Sequence, residues 1–176
     1  MTNEVLDCLK TRRSIRRFKP EQISDEELAA VLEAGTFAPN GKSRQDSWIV
    51  AVQDKALIEE LTRLNKVFYV GEGDPYYGAP TIVLVFGSSP EEWPNSTCDG
   101  ALVLGNMMNA AHSIGLGSCW INREREMFST AEGERIAKRF GLPEGLVGIG
   151  AIALGYPASY PRTVKPRKEG YVRIIK

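Results

Sequence analysis

Histidine is almost missing from this chain: His112 is the only one in 176 residues. The three cysteines, Cys8, Cys98 and Cys119, lie far apart, are odd in number and form no CxxC or CxxH spacing. That excludes both a disulfide framework and a zinc finger. No His, Cys or carboxylate constellation has the spacing of nucleophilic or acid–base chemistry. Net charge is zero, which argues against wholesale binding to nucleic acid or to an anionic membrane. Long apolar runs are also lacking. The longest, 101–121, is broken by Asn106, Asn109, His112, Ser113 and several glycines, too polar for a membrane span. The start has no basic segment followed by an apolar one, so no secretory signal is expected. These scarcities predict one domain over 1–176, reduced, cytoplasmic and without a metal.

Acid is missing locally in two places. Residues 10–19 hold six basic groups and no acid, and residues 162–168 hold four basic groups and no acid. Together they take ten of the 22 Lys and Arg, leaving 12 basic against 22 acidic residues elsewhere. Positive charge gathered on an otherwise acidic protein points to a fixed anion. Ser14 lies among the first arginines, and a hydroxyl between guanidinium forks suits a phosphate monoester. The run alone also fits a nucleic-acid arm or a solvated face. Ile15, Phe18 and the capped helix that follows favour a folded segment.

Helix signals alternate with short apolar runs. Val5, Leu6 and Leu9 share one face of a first helix. Ser24 and Glu27 form a capping box for a helix with Leu28, Val31 and Leu32 inward, expected to stop at Gly35. Trp48–Val52 reads as a strand, and Asp54 caps a helix carrying Leu57, Ile58 and Leu61. Thr81–Phe86 is apolar throughout and predicts a buried central strand. Residues 98–114 predict a helix apolar all round and therefore buried; His112 on it is expected to be a satisfied core histidine. Ser118–Ile121 predicts a strand with Cys119 as a packed small residue. Ser129 with Glu132 predicts a second capping box, for a helix ending at Phe140 and Gly141. Leu146–Leu154 predicts a long strand. The terminal Tyr171–Ile175 is β-prone with little core left to join, and is expected to pair with a partner chain or its own sheet. Phe68, Tyr69, Tyr76 and Tyr77 are candidates for a substrate mouth, for core or for dimer contacts.

Four segments, in this order, resemble the FMN-dependent nitroreductase family: Arg12–Phe18, Ala38–Gln45, Gly115–Ile121, and Gly155-Tyr156-Pro157 followed by Lys165-Pro166-Arg167. The resemblance spans essentially the whole chain. It implies an α+β class: a three-layer fold with a mixed central sheet flanked by helices, a long buried helix and an intertwined homodimer. It implies that Arg12, Arg13, Ser14, Arg16, Lys165 and Arg167 hold the FMN phosphate and ribityl chain. It implies that Pro39, Asn40, Gly41, Ser43 and Gln45 lie along the flavin ring, largely of the partner subunit. Gly117, Ile121 and Asn122 belong to the segment that faces the flavin N5 and pyrimidine edge. Ser43 stands where the family usually has Asn, and Asp46 where it often has Pro.

By the same resemblance, no side chain is catalytic and the flavin carries the chemistry. NAD(P)H is the implied donor, and a nitroaromatic, quinone or similar small acceptor the partner, in a ping-pong reaction without nucleic acid or membrane. A flavin-binding sensor, a specialised member (a dehalogenase or flavin-destroying enzyme) and a nucleic-acid module using the basic run are the alternatives.

Overall fold

The computed structural model describes residues 1–161 and 163–176; Arg162, one of the second basic cluster, lies outside the described residues. Among the described residues, six helices surround one four-stranded sheet. In chain order these are α1 (Glu4–Thr11), α2 (Asp25–Thr36), β1 (Trp48–Val52), α3 (Lys55–Phe68), β2 (Thr81–Gly87), α4 (Ser96–Ser113), β3 (Gly117–Ile121), α5 (Glu124–Phe128), α6 (Ala131–Arg139) and β4 (Val147–Gly155). A 3-10 turn over Gly41–Ser43 precedes β1. The strand order is β1-β2-β4-β3, and each neighbouring pair is antiparallel. Among the described residues the sheet itself is therefore antiparallel rather than the mixed sheet expected, and the parallel pairing is an isolated bridge from the loop residue Ser14 to Ser118 of β3.

Alternation along the central strands builds two cores. Ile82, Leu84, Phe86, Ala151 and Ala153 point to one face, where Leu61, Leu64, Met127 and Ile136 from α3, α5 and α6 cover them. Val83, Val85, Ile152 and Leu154 point to the other, under Val31 of α2 and Leu104 and Met107 of α4. Every residue of β2 is buried, as its unbroken apolar run predicts. This is the expected three-layer arrangement.

The Ser24–Glu27 capping box is formed in both directions, and Asp54 accepts from the Leu57 amide at 2.8 Å. Three local expectations are corrected. The helix begun at Ser24 passes through Gly35 to Thr36. Gly35 is a packing residue: a Cβ there would lie 2.8 Å from Met107 Cγ on α4. The cap of α6 is Thr130, whose hydroxyl accepts from Gly133 N at 3.0 Å. Ser129 instead closes α5, donating to the Glu126 carbonyl at 2.8 Å, and Glu132 pairs with Arg63. His112 is not a core histidine. It is half-buried between α4 and α1 and shares a 2.9 Å hydrogen bond with Thr11 Oγ1.

The long helix α4 buries Val103, Leu104, Met107 and Ala111 but leaves Leu102 exposed. Tyr171, Val172, Ile174 and Ile175 form no strand and are exposed in the single chain. Of the four aromatics left open by the sequence, Tyr76 is core and Phe68 packs against it. Tyr69 and Tyr77 each lie under a guanidinium, of Arg123 at 4.9 Å and of Arg16 at 5.9 Å.

Candidate functional site

The two basic clusters, more than a hundred and forty positions apart, meet at the end of α1. A pocket of about 540 Å³ is lined by Lys10, Arg12, Arg13, Lys165 and Arg167, with Leu9, Val164 and Pro166. It presents five cationic side chains and no acid. Helix α1 places them: Arg12 is its C-cap, and its amide donates to the Cys8 carbonyl at 3.0 Å. The next residues run along β3, where the Ile15 amide donates to the Ser118 carbonyl at 2.9 Å. Gly117 permits that approach, since a Cβ there would sit 2.9 Å from Ile15 Cγ1.

Arg13 is turned partly onto backbone: its Nη1 donates to the Lys10 and Arg12 carbonyls at 2.7 Å each. Its Nε is buried with no hydrogen-bond partner among the described residues. An unpaired buried donor on a guanidinium is costly, and it lies within a cluster that has no carboxylate in the pocket wall. His112 registers the field: burial lowers its pKa, and Arg12 and Arg13 lower it further. These features fit a phosphate group, which would supply the missing acceptors and charge.

Ser14 lies beside the pocket on the bridge to Ser118, and Arg16 is exposed over Tyr77; neither lines the pocket wall. The segment Gly117 to Asn122 is reached directly from Ser14. Ile121 has its side chain in the core, 3% exposed, so only its backbone can face a ligand. Asn122 is exposed, and its Oδ1 accepts from Trp120 Nε1 at 2.7 Å. Cys119 is buried, and burial pushes its thiol pKa up, as expected of a packed residue rather than a reactive one.

The loop holding Pro39, Asn40, Gly41, Ser43 and Gln45 lies elsewhere, against the start of α4. The Gly41 amide donates to Asp99 Oδ1 at 2.9 Å, and the Gln45 amide to Asn40 Oδ1 at 2.9 Å. Lys42, Ser43 and Gln45 all have positive φ, between 51° and 53°, a conformation that side chains adopt rarely. Asp99 also accepts from Trp93 Nε1 at 2.7 Å, and Arg44 stacks over Trp93 at 5.1 Å. Asp46 has a clear local task. Its carboxylate accepts from the Ser88 amide and hydroxyl at 2.9 and 2.6 Å, tying the loop to the end of β2. Among the described residues, the pocket beside this loop and the basic pocket share no lining residue within one chain.

The sequence pattern of the Nitroreductase family matches residues 9–71 and 67–156. The chain belongs to the nitroreductase family. A nitroreductase from Bacteroides fragilis, crystallised with bound FMN, is 34% identical, with a TM-score of 0.90 over 99% of this chain and 100% of that one. A nitroreductase with bound FMN from Desulfitobacterium hafniense reaches the same TM-score at 28% identity, again over 99% and 100%. Among relatives by sequence, the NADPH-flavin oxidoreductase of Vibrio harveyi is 28% identical over 97% of this chain and 72% of its own length.

Residues that the sequence did not single out now stand beside the predicted ones. Arg123, directly after Asn122, has φ of 89° and donates from Nε to Asn65 Oδ1 at 2.8 Å. Asn65 is fully buried on α3. Its signal was available: a polar residue on the inward stripe that carries Leu57, Ile58, Leu61 and Leu64.

Proposed function

We propose that this chain is an FMN-dependent oxidoreductase that passes electrons from NAD(P)H to small oxidised acceptors such as nitroaromatics or quinones, in ping-pong fashion. The observation that carries the reading is the acid-free pocket in which Arg12 and Arg13 meet Lys165 and Arg167. When bound, FMN supplies the two-electron chemistry between donor and acceptor. The chain's own residues bind and orient it. Arg12 and Arg167 offer bidentate forks to the phosphate, and Lys165 adds a point charge. Ser14 adds a hydroxyl and Arg16 a further cation toward the ribityl end. Asn122 and the backbone of Gly117 and Ile121 present polar groups to the ring edge.

The loop of Pro39, Asn40, Gly41, Ser43 and Gln45 serves the ring of a second subunit in this reading. Its separation from the cationic pocket of its own chain supports that assignment. So do the apolar surfaces left open by the single chain: Phe37 beside the loop is 77% exposed and Ile174 in the tail 76%. Single-chain surfaces of that kind are characteristic of an interface. A homodimer, with the tails crossing and FMN between subunits, would cover them. Among the described residues no helix is long and apolar enough to cross a membrane. The free cysteines suit a reduced, cytoplasmic setting.

The decisive experiment is FMN titration of Arg12→Ala and Arg167→Ala. Losing a charge-assisted contact costs about 1.5–3 kcal/mol, so each variant should bind FMN roughly ten- to a hundredfold more weakly. Unchanged affinity in both would remove the phosphate assignment. Bound flavin that NADPH and NADH both fail to bleach under anaerobic conditions would point to a flavin-binding sensor instead.

A further inference from the structure

Strand β3 ends at Ile121 and α5 starts at Glu124. Only two residues make the turn, the exposed Asn122 and the half-buried Arg123. Arg123 has φ 89° and ψ 2°, in the left-handed region. Such a conformation is unfavourable for a residue with a Cβ and persists where its surroundings over-determine it. Helix α3 does so here. Asn65, fully buried, accepts from Arg123 Nε at 2.8 Å through its Oδ1. Its Nδ2 donates to the Asn122 carbonyl at 3.4 Å, and also faces Met127 Sδ at 3.1 Å and Tyr76 Oη at 3.3 Å. Just past the end of α3, Tyr69 supports the guanidinium at 4.9 Å. Arg123 has no carboxylate partner among the described residues. Its hold comes from an amide and an aromatic ring.

One buried amide therefore grips both residues of the turn, and it sits on a helix stripe where an apolar side chain would pack at less cost. We infer that Asn65 is a positioning residue: acting through Arg123, it holds the Asn122–Arg123 turn left-handed and so fixes the polar edge that the turn presents to the flavin ring. The inference rests on the FMN reading above.

Glycine discriminates this role from plain packing, because it takes positive φ without needing to be held. The test uses full-length wild type, Asn65→Leu, Arg123→Gly and the double variant Asn65→Leu/Arg123→Gly. FMN affinity, the position of the bound-flavin absorption bands and the melting temperature without FMN are measured on each. Asn65→Leu should weaken FMN about tenfold and shift the bands. Arg123→Gly should stay within threefold of wild type. The double variant should recover to within threefold of wild type, whatever its melting temperature. A double variant as weak as Asn65→Leu overturns the inference, since Asn65 then matters only to the fold. So does an Asn65→Leu that binds FMN like wild type with unshifted bands. If Asn65→Leu does not fold, Arg123→Ala against Arg123→Gly decides: alanine should bind about fivefold more weakly, and equal affinities overturn the inference. A wild type that binds no FMN brings down the flavin reading itself, and this one with it.

Discussion

Two acidic side chains sit at the same end of the sheet, beside its opposite edge strands, and meet opposite surroundings. Asp46 precedes β1. Its side chain is 6% exposed, yet it accepts from the amide and hydroxyl of Ser88 and lies 3.4 Å from Arg44. Burial pulls its pKa up, but the Ser88 contacts and Arg44 outweigh that, and its pKa ends below the ordinary 3.8. Glu124 follows β3. It is 1% exposed, and neither carboxyl oxygen has a hydrogen-bond partner among the described residues. Burial dominates there and pushes its pKa from 4.5 to about 8. Burial alone does not decide the charge state of an acid. The number of donors aimed at it does.

The largest expected effect breaks this comparison at Glu124. Its folded pKa lies above the unfolded value, so the folded state holds the proton more tightly. Its burial therefore carries no ionisation cost at pH below about 4.5 and becomes more costly as pH rises toward about 8. Each tenfold difference in proton affinity between the folded and unfolded chain is worth about 1.4 kcal/mol. The wild type should lose roughly 4 kcal/mol of stability between pH 5 and pH 9 that Glu124→Gln retains. Urea unfolding of both proteins at the two pH values measures the difference. Parallel pH profiles would mean that Glu124 is not a buried neutral acid.

Asp46 should show the opposite sign. With a depressed folded pKa, its contribution is present at neutral pH and is lost as pH falls through 3.8 and below. Asp46→Asn should cost about 1.5–3 kcal/mol at pH 7, the scale of a charge-assisted hydrogen bond. The gap to wild type should narrow as pH falls below 3.8. A penalty that does not change with falling pH would show that Asp46 acts by shape alone. The residue also accounts for its own place in the sequence. A proline at 46 could not accept from Ser88, so this chain ties the loop before β1 to the end of β2 by a contact that a proline could not make.

What was legible in the sequence divides along the same line. Local donor–acceptor pairs were readable. The Ser24–Glu27 box and the Asp54 cap need only residues three apart, and the run from Thr81 announces a strand buried on both faces. The joining of the two basic clusters was readable from charge segregation together with the family resemblance. Contacts between distant segments were not. Gly35 looks like a helix stop until α4 is laid against it. His112 looks like a core residue until α1 is seen to cover only part of α4. Asn65 stood on an apolar stripe, but nothing local said that Arg123 would come to it. The tail from Tyr171 to Ile175 has the composition of a strand, and in the single chain it joins none.

The smallest effect sharpens the comparison by removing charge from both partners. After α5, α6 is capped by Thr130, whose hydroxyl accepts from the Gly133 amide at 3.0 Å and donates to the Met127 carbonyl at 2.7 Å. Glycine is required at 133 because a Cβ would fall 2.0 Å from the Met127 carbonyl oxygen, so the cap and the close approach are one device. Ser129, one residue earlier, makes a single exposed bond to the Glu126 carbonyl. Thr130→Ala should cost about 1 kcal/mol, the usual worth of a helix cap, and Ser129→Ala less than about 0.5 kcal/mol, as for most surface changes. Neither loss should depend on pH between about 5 and 9, unlike that at Glu124. Thermal melts of the two variants rank them directly. A larger loss at Ser129 would return the cap to the residue that the sequence favoured, and would mean that the close approach at Gly133 does not select Thr130.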